Sequence, residues 1–278
     1  MRRLIVRGGT VAILGLVLVA FVFPLYYLVA TSLKSREELF EPVPTIIPKA
    51  PTIEPYVSVL IDRGMTTLIV NSVVVCLSAT VLAIAIAFLL VYPITRLPVP
   101  EGPRRFTLDW SLSLRFLVPI AVVIPYFTIV RALGIYNQLP ALILVYTLFN
   151  LPLAIWMLKG FMEEIPLEIE EAALVDGATR WRAFRAVLLP LARTGVLAAG
   201  IVVFAFDWSE FLFAFVLTAT PQAMTFPVGV QGLVTQFQII WNDMAAGGVI
   251  AVAIPLVLLI IARRHVMAGL TFGVIREK

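Results

Sequence analysis

The sequence predicts an all-α membrane protein, a polytopic bundle of six transmembrane helices, on two observations. Apolar residues make up 61% of the 278-residue chain and charged residues only 14%, and the mean hydropathy is +1.01. Six segments approach the roughly 20 apolar residues that a helix needs to cross hydrocarbon. They are residues 10–32, 68–92, 114–132, 139–158, 195–218 and 244–262. We therefore expect one transmembrane domain over residues 1–278, with no separate soluble domain.

Individual features justify reading these segments as helices that stay in the membrane. The first follows several arginines, as a signal peptide would, but its apolar run exceeds the roughly 7–15 residues of such peptides. The second carries Cys76, the only cysteine, so an internal disulfide is excluded. Prolines lie inside the first, third and sixth segments, where neighbouring helices can satisfy the freed backbone groups. These prolines are Pro24, Pro119, Pro125 and Pro255.

The segment between the first and second crossings, residues 33–67, is rich in proline. Because proline at this density resists a regular helix, an extended cap outside the membrane is predicted. Residues 35–40 are predicted to form a short interfacial helix at its start. A solvated loop and a contact surface for a partner protein both remain open. The prolines are Pro42, Pro44, Pro48, Pro51 and Pro55.

The distribution of basic residues predicts the orientation. Of the 21 Lys and Arg residues, 16 fall on the side that carries both termini and 5 on the other. Positive charge collects on the cytoplasmic side of membrane proteins, so both termini and the loop 161–192 are predicted to be cytoplasmic. The basic pI of about 9.4 is explained in the same way. A nucleic-acid partner is not expected, since no basic stripe on a soluble face is visible.

The loop 161–192, between the fourth and fifth crossings, is predicted to form two short helices joined by a tight turn. Gly177 fits a helix stop, because glycine adopts left-handed dihedrals without a Cβ penalty. Thr179 can cap the following helix. Apolar residues recur at helical spacing on both sides of the turn. They are Ile165, Ile169, Ala172 and Ala173 before it, and Trp181, Phe184 and Leu188 after it. The pattern indicates a knob that another protein grips.

The sequence contains no recognisable pattern for nucleotide binding, metal binding or catalysis. No Gly-x-x-x-x-Gly-Lys-Ser/Thr string is present to cradle phosphates, so energy must come from a partner. The single histidine, His265, lies beside Arg263 and Arg264 without a second His or a paired Cys, and a metal site is not expected there. No residue pattern resembles a catalytic nucleophile paired with its general base. The chain is therefore predicted not to be an enzyme, with no catalytic, cofactor-binding or metal site.

The string Glu171-Ala172-Ala173, Gly177 and Leu189-Pro190 resembles the EAA loop of permease subunits from type I binding-protein-dependent ABC importers. That pattern is Glu-Ala-Ala, three residues, Gly, nine residues, Ile-x-Leu-Pro, and Val187 replaces the Ile here. The alternative is an ordinary amphipathic hairpin on the membrane surface. Residues matching the coupling loop of the family are Glu171, Ala172, Ala173, Asp176, Gly177, Arg182, Arg185, Leu189 and Pro190.

Further strings resemble the carbohydrate-uptake subgroup, and within it the MalG-like member of a MalF-like and MalG-like pair. They are 150–156, 159–161 and 165–166 before the loop, 32–34, 71–72, and the ending 269–273. Departures are Pro55-Tyr56 where the subgroup has Asn-Tyr, and the tail 274–278.

The resemblance implies a type I ABC importer permease fold in the cytoplasmic membrane of a prokaryote. It also implies two nucleotide-binding ATPase subunits, a second MalF-like permease subunit, an extracytoplasmic solute-binding protein, a sugar substrate and surrounding membrane lipid. ATP and Mg²⁺ would be bound by the partner subunits, with no cofactor on this chain.

Polar residues inside the crossings are candidates for the translocation path. Asp207 and Glu210 are spaced i, i+3 and are predicted to share a helix face. A carboxylate in hydrocarbon is costly, so both should face the bundle interior or an aqueous cavity. Trp208-Ser209-Glu210 resembles the Trp-Asn-Glu of the sugar subgroup. The candidates are Trp208, Glu210, Asp207, Asn71 and Asn150. Hydrogen bonding between helices, worth about 0.6 kcal/mol each, is the alternative role.

Other functions stay open at this point. An ion-coupled carrier could use Asp207 and Glu210 as a proton relay, although no inverted repeat is visible. A structural or sensory membrane subunit is a second alternative. Within the importer interpretation, the cargo could be glycerol-phosphate, a polyamine or another non-sugar solute.

Overall fold

The computed structural model describes residues 2–234 and 240–272. Over these residues the regular structure is helical and contains no strand, so the all-α prediction is confirmed. The carboxyl-terminal resemblance ends at Gly273, and that residue and the tail 274–278 lie outside the described residues.

The helices follow one another along the chain with bounds that differ in places from the predicted crossings. They are α1 (Arg2–Ser32), α2 (Arg36–Leu39), α3 (Glu54–Val57), α4 (Met65–Arg96), α5 (Glu101–Arg115), α6 (Pro119–Ala132), α7 (Leu139–Glu164), α8 (Leu167–Val175), α9 (Arg180–Ala183), α10 (Leu189–Trp208), α11 (Leu212–Leu217), α12 (Phe226–Gln231) and α13 (Trp241–Phe272). Single π-helical segments follow α3 (Ser58–Asp62) and α9 (Phe184–Leu188).

Helical segments that are long and apolar enough to cross a membrane account for most of the predicted crossings. Among the described residues there are five, or six if one bent pair counts as a crossing. The five are Ile13–Ser32, Met65–Arg96, Leu139–Glu164, Arg180–Trp208 and Trp241–Ile261. The first, second, fourth and sixth predicted segments each fall on one of these helices.

The third predicted crossing, 114–132, is not a single helix. It covers the end of α5 and all of α6, and these two helices meet at an angle of 106°. Val118 between them is extended, with φ −73° and ψ 131°, and Pro119 opens α6. A proline disfavours helical dihedrals in the residue before it and fits the first turn of a new helix. Hydropathy alone therefore overlooked the break.

The fifth predicted crossing, 195–218, is also interrupted. Helix α10 ends at Trp208, with Ser209 as its C-cap, and α11 begins at Leu212 after three intervening residues. Asp207 and Glu210 consequently do not lie on one continuous helix face, contrary to the i, i+3 prediction. Asp207 belongs to the last turn of α10, whereas Glu210 precedes α11.

The chain forms two compact units, and the first comprises residues Met1–Thr66 and Gly229–Ile254. Its α2 confirms the short helix predicted at 35–40, and Ser35 caps it by accepting from the Glu38 amide. The Glu38 carboxylate accepts hydrogen bonds from the Thr45 hydroxyl and the Lys49 amide. The Thr45 hydroxyl above all holds the pKa of Glu38 below its ordinary value; the Lys49 amide and two nearby lysine charges act in the same direction, against partial burial. The proline-rich segment is thus organised around one carboxylate.

The second unit, Thr67–Val228 with Pro255–Lys278, holds the main apolar core. Its fully packed residues come from α4, α7, the second π-helical segment and α10. Many are alanines, which let helix backbones approach closely in a membrane bundle. They include Ala83, Ala87, Ala154, Ala192 and Ala199. Gly195 of α10 packs against Phe161 of α7 so closely that a Cβ there would lie 2.5 Å from the Phe161 Cβ.

Candidate functional site

The hairpin formed by α8 and α9 has the local structure that its residues predict. Asp176 is the C-cap of α8, and Gly177 follows with a left-handed φ of 85°. The Thr179 side chain accepts a hydrogen bond of 3.3 Å from the Arg182 amide and caps α9. The predicted helix stop and the predicted cap are both confirmed.

The coupling-loop candidates lie on the exposed surface of this hairpin. All but one are exposed, and Ala173 is half-buried. The exposed residues are Glu171, Ala172, Asp176, Gly177, Arg182, Arg185, Leu189 and Pro190. Two large apolar side chains beside them are also exposed, Val175 to 87% and Trp181 to 68%. Such a surface of apolar side chains rimmed by charge is typical of a protein-binding site.

The opposite side of the hairpin packs into the second unit. Leu188 is buried, and the Phe184 ring stacks on Trp181 with centroids 5.3 Å apart. The same Phe184 ring meets Phe88 and Tyr92 of α4 edge-on, at 5.6 and 5.1 Å. The hairpin is therefore anchored by one face while its turn projects outward.

Two of the path candidates come together in a buried polar cluster. The Asn150 amide of α7 donates to the Asp207 carboxylate of α10 at 2.6 Å, and the Thr80 hydroxyl of α4 donates to it at 3.1 Å. Asp207 is 1% exposed, so the cluster links three helices inside the unit. This arrangement satisfies a costly intramembrane carboxylate within the bundle.

Glu210 accepts hydrogen bonds from the backbone at the start of α11. Its carboxylate oxygens accept from the Phe213 amide at 2.8 Å and from the Ala214 amide at 3.2 Å. The break between α10 and α11 would otherwise leave these amides without an acceptor, which is costly at membrane depth. A carboxylate at a helix amino terminus also opposes the positive end of the helix dipole favourably.

Trp208 and Asn71 lie in different surroundings from this cluster. Trp208 is buried and stacks on Phe204, with centroids 6.0 Å apart. The Asn71 amide of α4 donates to three carbonyls of the loop after α11, those of Pro221, Gln222 and Met224. A path-lining role for these five polar and aromatic residues remains a prediction.

A buried ion pair escaped the sequence reasoning. Glu170, directly before the Glu-Ala-Ala string, lies 3.9 Å from Arg96 of α4, measured from Oε2 to Nε. The usable signal was the spacing of Phe88, Tyr92 and Arg96 at i, i+4 and i+8, which places all three on one face of α4. No local pattern could have paired that face with Glu170.

Comparison with known proteins places the chain in a family. Residues 79–274 match the family model described as binding-protein-dependent transport system inner membrane component. The chain belongs to this family. It is accordingly a multi-pass inner membrane subunit of a transport system rather than an enzyme.

Relatives in the family align over nearly the whole chain. The sulfoquinovosyl glycerol transport system permease protein SmoH of Agrobacterium fabrum is 35% identical, over 93% of this chain and 90% of its own. The trehalose transport system permease protein SugB of Mycobacterium tuberculosis is 34% identical, over 95% of this chain and 96% of its own. The alignments thus span at least nine-tenths of each of these two permease proteins.

A solved structure shares the fold. It is the crystal structure of a bacterial ABC transporter involved in the import of the acidic polysaccharide alginate. The TM-score is 0.75 at 19% identity, covering 94% of this chain and 95% of that one. The permease fold that the EAA-like string implied is confirmed. Family membership also decides against an ion-coupled carrier and against a purely structural or sensory subunit.

Proposed function

We propose that this chain forms one half of the translocation path of an ATP-driven importer for a carbohydrate. The membership of the chain in the binding-protein-dependent family carries the transport role. The exposed hairpin α8–α9 supports the ATP-driven mechanism, because it offers a surface that a separate ATPase can bind and move.

A carbohydrate cargo is supported by what the relatives carry. By name, SmoH serves sulfoquinovosyl glycerol and SugB serves trehalose, and both align over more than nine-tenths of this chain. Each of these cargoes contains a hexose unit. Glycerol-phosphate, polyamines and other non-sugar solutes therefore remain the less favoured cargo.

The proposed partners supply the ATP binding and the cargo delivery that an importer needs in addition to this chain. Two nucleotide-binding ATPase subunits would hold ATP and Mg²⁺ and close on the hairpins of two permease subunits, this one and a MalF-like second. An extracytoplasmic binding protein would deliver the sugar. This scheme places both termini and the hairpin in the cytoplasm, as the 16 against 5 distribution of basic residues predicts.

Close approach at the turn is the physical basis of docking. Apart from its two chain neighbours, no atom of the described residues lies within 4 Å of the Cβ position at Gly177, so a side chain there would project into the space that the ATPase must occupy. Ala173, half-buried on α8, offers a similarly shallow surface. Closure of the ATPases would then tilt the rigid crossings through this contact and switch the cavity between faces.

A matched pair of glycine variants tests the docking role. Gly177 and Gly134 both have left-handed φ, 85° and 70°, and both have open space at the Cβ position. Gly177→Val and Gly134→Val should therefore incur similar backbone strain, about 1–2 kcal/mol. Only Gly177→Val, and likewise Ala173→Trp, should abolish ATPase co-purification and ATP-dependent uptake. Retention of both properties in the Gly177 and Ala173 variants would refute ATPase docking on this hairpin.

The cargo is tested through the delivering protein. The binding protein that co-purifies with the assembled complex should be screened by calorimetry against mono- and disaccharides, glycerol-phosphates and polyamines. Saturable binding of a saccharide alone supports the proposal. Preference for a polyamine or a glycerol-phosphate would reassign the cargo and leave the ATP-driven mechanism in place.

A further inference from the structure

One helix contacts both the coupling hairpin and a distant loop of the same unit. Helix α4 has 32 residues and is therefore about 48 Å long, enough to extend from one side of a bilayer to the other. Its carboxyl-terminal end meets the hairpin, and its amino-terminal end meets residues 218–226, which are the loop after α11 and the first residue of α12. We name the latter the 218–226 segment.

The carboxyl-terminal end of α4 contacts the hairpin both at α8 and at the residues that follow α9. The Tyr92 hydroxyl donates to the Glu170 carboxylate of α8 at 3.0 Å, and its ring packs edge-on against Phe184, which follows α9. Phe88 packs on the same Phe184 ring from one turn earlier. Any displacement of α8 or of the residues after α9 therefore meets side chains of α4 directly.

Arg96 adds a third attachment at the base of the hairpin. Its guanidinium donates to the carbonyl oxygens of Met162 and Ile165, at 2.6 and 2.8 Å, where α7 ends. Its side chain is 2% exposed and that of Glu170 is 8% exposed, so the pair is shielded from solvent. Charge-assisted contacts in such surroundings are stronger than on the surface and tolerate little relative movement.

The amino-terminal end of α4 holds the 218–226 segment. The Asn71 side chain donates to three of its carbonyls at 3.0 to 3.1 Å, and the Ser72 hydroxyl accepts from the Phe226 amide at 2.7 Å. The segment is irregular up to Thr225 and has a second attachment, because Asn137 before α7 accepts from the Ala219 and Thr220 amides at 2.8 and 3.0 Å. Residues 221–226 are therefore held by α4, whereas residues 219–220 are held by the loop before α7.

We propose that α4 transmits movement of the coupling hairpin to the 218–226 segment, with Tyr92, Arg96 and Glu170 as the positioning residues of the hairpin contact. The inference rests on the proposed ATPase docking. Under the proposed orientation the hairpin is cytoplasmic and the segment lies at the extracytoplasmic side, where cargo is delivered. Closure of the ATPases would move α8, α4 would follow through Glu170, and the segment would shift with Asn71 and Ser72.

The test uses thiol reporters on the complete complex in lipid nanodiscs. Native Cys76 is 1% exposed and does not compete for the label. Ala186→Cys reports on the hairpin and Gln222→Cys on the 218–226 segment, since both positions are exposed. A spin label at each position is followed on addition of a non-hydrolysable ATP analogue, in the parent and in three variants. The variants are Tyr92→Phe, Glu170→Gln and Glu168→Gln; Glu168 is exposed on α8 and serves as the control with the same charge change.

Both reporters should respond in the parent and in Glu168→Gln. In Tyr92→Phe and Glu170→Gln the reporter at 186 should still respond, while most of the response at 222 is lost. Tyr92→Phe removes one hydroxyl and keeps the ring, so it tests the hydrogen bond in a variant that retains the packing.

Three results would overturn the proposal. The response at 222 could persist in both variants, it could be absent from the parent, or the responses at 186 and 222 could disappear together. The last result would mean that these residues only shape the hairpin. A parent complex whose reporter at 186 does not respond would instead contradict ATPase docking, and with it the inference built on that docking.

Discussion

The close contact between Gly195 and Phe161 gives a sharp prediction for the packing of α7 against α10. A Cβ at position 195 would lie 2.5 Å from the Cβ and from the Cγ of Phe161, and 2.9 Å from its Cδ2. Favourable carbon–carbon contacts begin near 3.5 Å, so the two helices would have to separate by about 1 Å. Rotation of the Phe161 ring about the Cβ–Cγ bond cannot relieve the overlap, because both Cβ and Cγ lie on the axis of that rotation.

The expected cost of Gly195→Ala combines two opposing terms. Overpacking a well-packed interior costs about 1–3 kcal/mol, and the position of the clash near the backbone favours the upper end. Alanine gains about 1 kcal/mol over glycine in a helix interior. The net destabilisation should therefore be about 2 kcal/mol. Gly200→Ala on the same helix is the control, since its Cβ would lie 3.8 Å from the nearest atom, Thr80 Cγ2, and it should be neutral or stabilising.

The assay is equilibrium unfolding of the purified chain in mixed detergent micelles, in a double-mutant cycle with Phe161→Gly. That second substitution removes all three clashing atoms. In its background Gly195→Ala should cost nothing or stabilise by its helix propensity. If Gly195→Ala costs the same with and without the Phe161 side chain, the close approach is not the cause and the reasoning fails.

Three further predictions concern charged groups. Asp207→Leu should destabilise the unit by about 1–3 kcal/mol, because it leaves the Asn150 amide buried without its acceptor. Thr80→Val should cost only about 0.6 kcal/mol. A larger drop in the thermal unfolding midpoint for Asp207→Leu than for Thr80→Val would support this, and equal drops would contradict it. Glu210→Gln should speed hydrogen exchange at residues 213–214, since one amide loses its acceptor; unchanged cargo affinity with a less stable assembly would remove Glu210 from the path. Because the pKa of Glu38 is lowered, its stabilisation of residues 41–49 is complete at neutral pH and is lost as the pH falls through that lowered pKa. The protection of the amides of residues 41–49 against hydrogen exchange should therefore decline in acid in the parent. In Glu38→Gln this protection should stay independent of pH.

The hairpin was predictable because its determinants are local. A left-handed φ at Gly177 and a side-chain cap from Thr179 are decided within a few residues of each turn. Hydropathy likewise located the long helices, since composition over about 20 residues sets membrane affinity. Averaging over such windows also hid the two breaks. Pro119 carried a readable signal for the first, whereas Ser209–Phe211 contains no Pro or Gly to mark the second.

Pairings between distant residues could not be predicted in the same way. Glu170 and Arg96 are 74 positions apart, and Asn71 and Gln222 are 151 apart. The cost of a charge in hydrocarbon predicts that Asp207 must have partners without saying which helices provide them. Those partners depend on the packing of whole helices, which no short pattern encodes.

The two intramembrane carboxylates show what a cost argument can and cannot predict. Asp207 and Glu210 were expected to face the bundle interior because a carboxylate in hydrocarbon is costly, and to share a helix face because of their i, i+3 spacing. The structure separates them: Asp207 joins α10 to α4 and α7, and Glu210 supplies acceptors to the amides at the start of α11. A break in a crossing creates unpaired backbone groups, and a carboxylate with two oxygens can satisfy two of them at once. An acidic residue inside an apolar segment is therefore evidence for a local interruption of the helix as much as for a substrate contact.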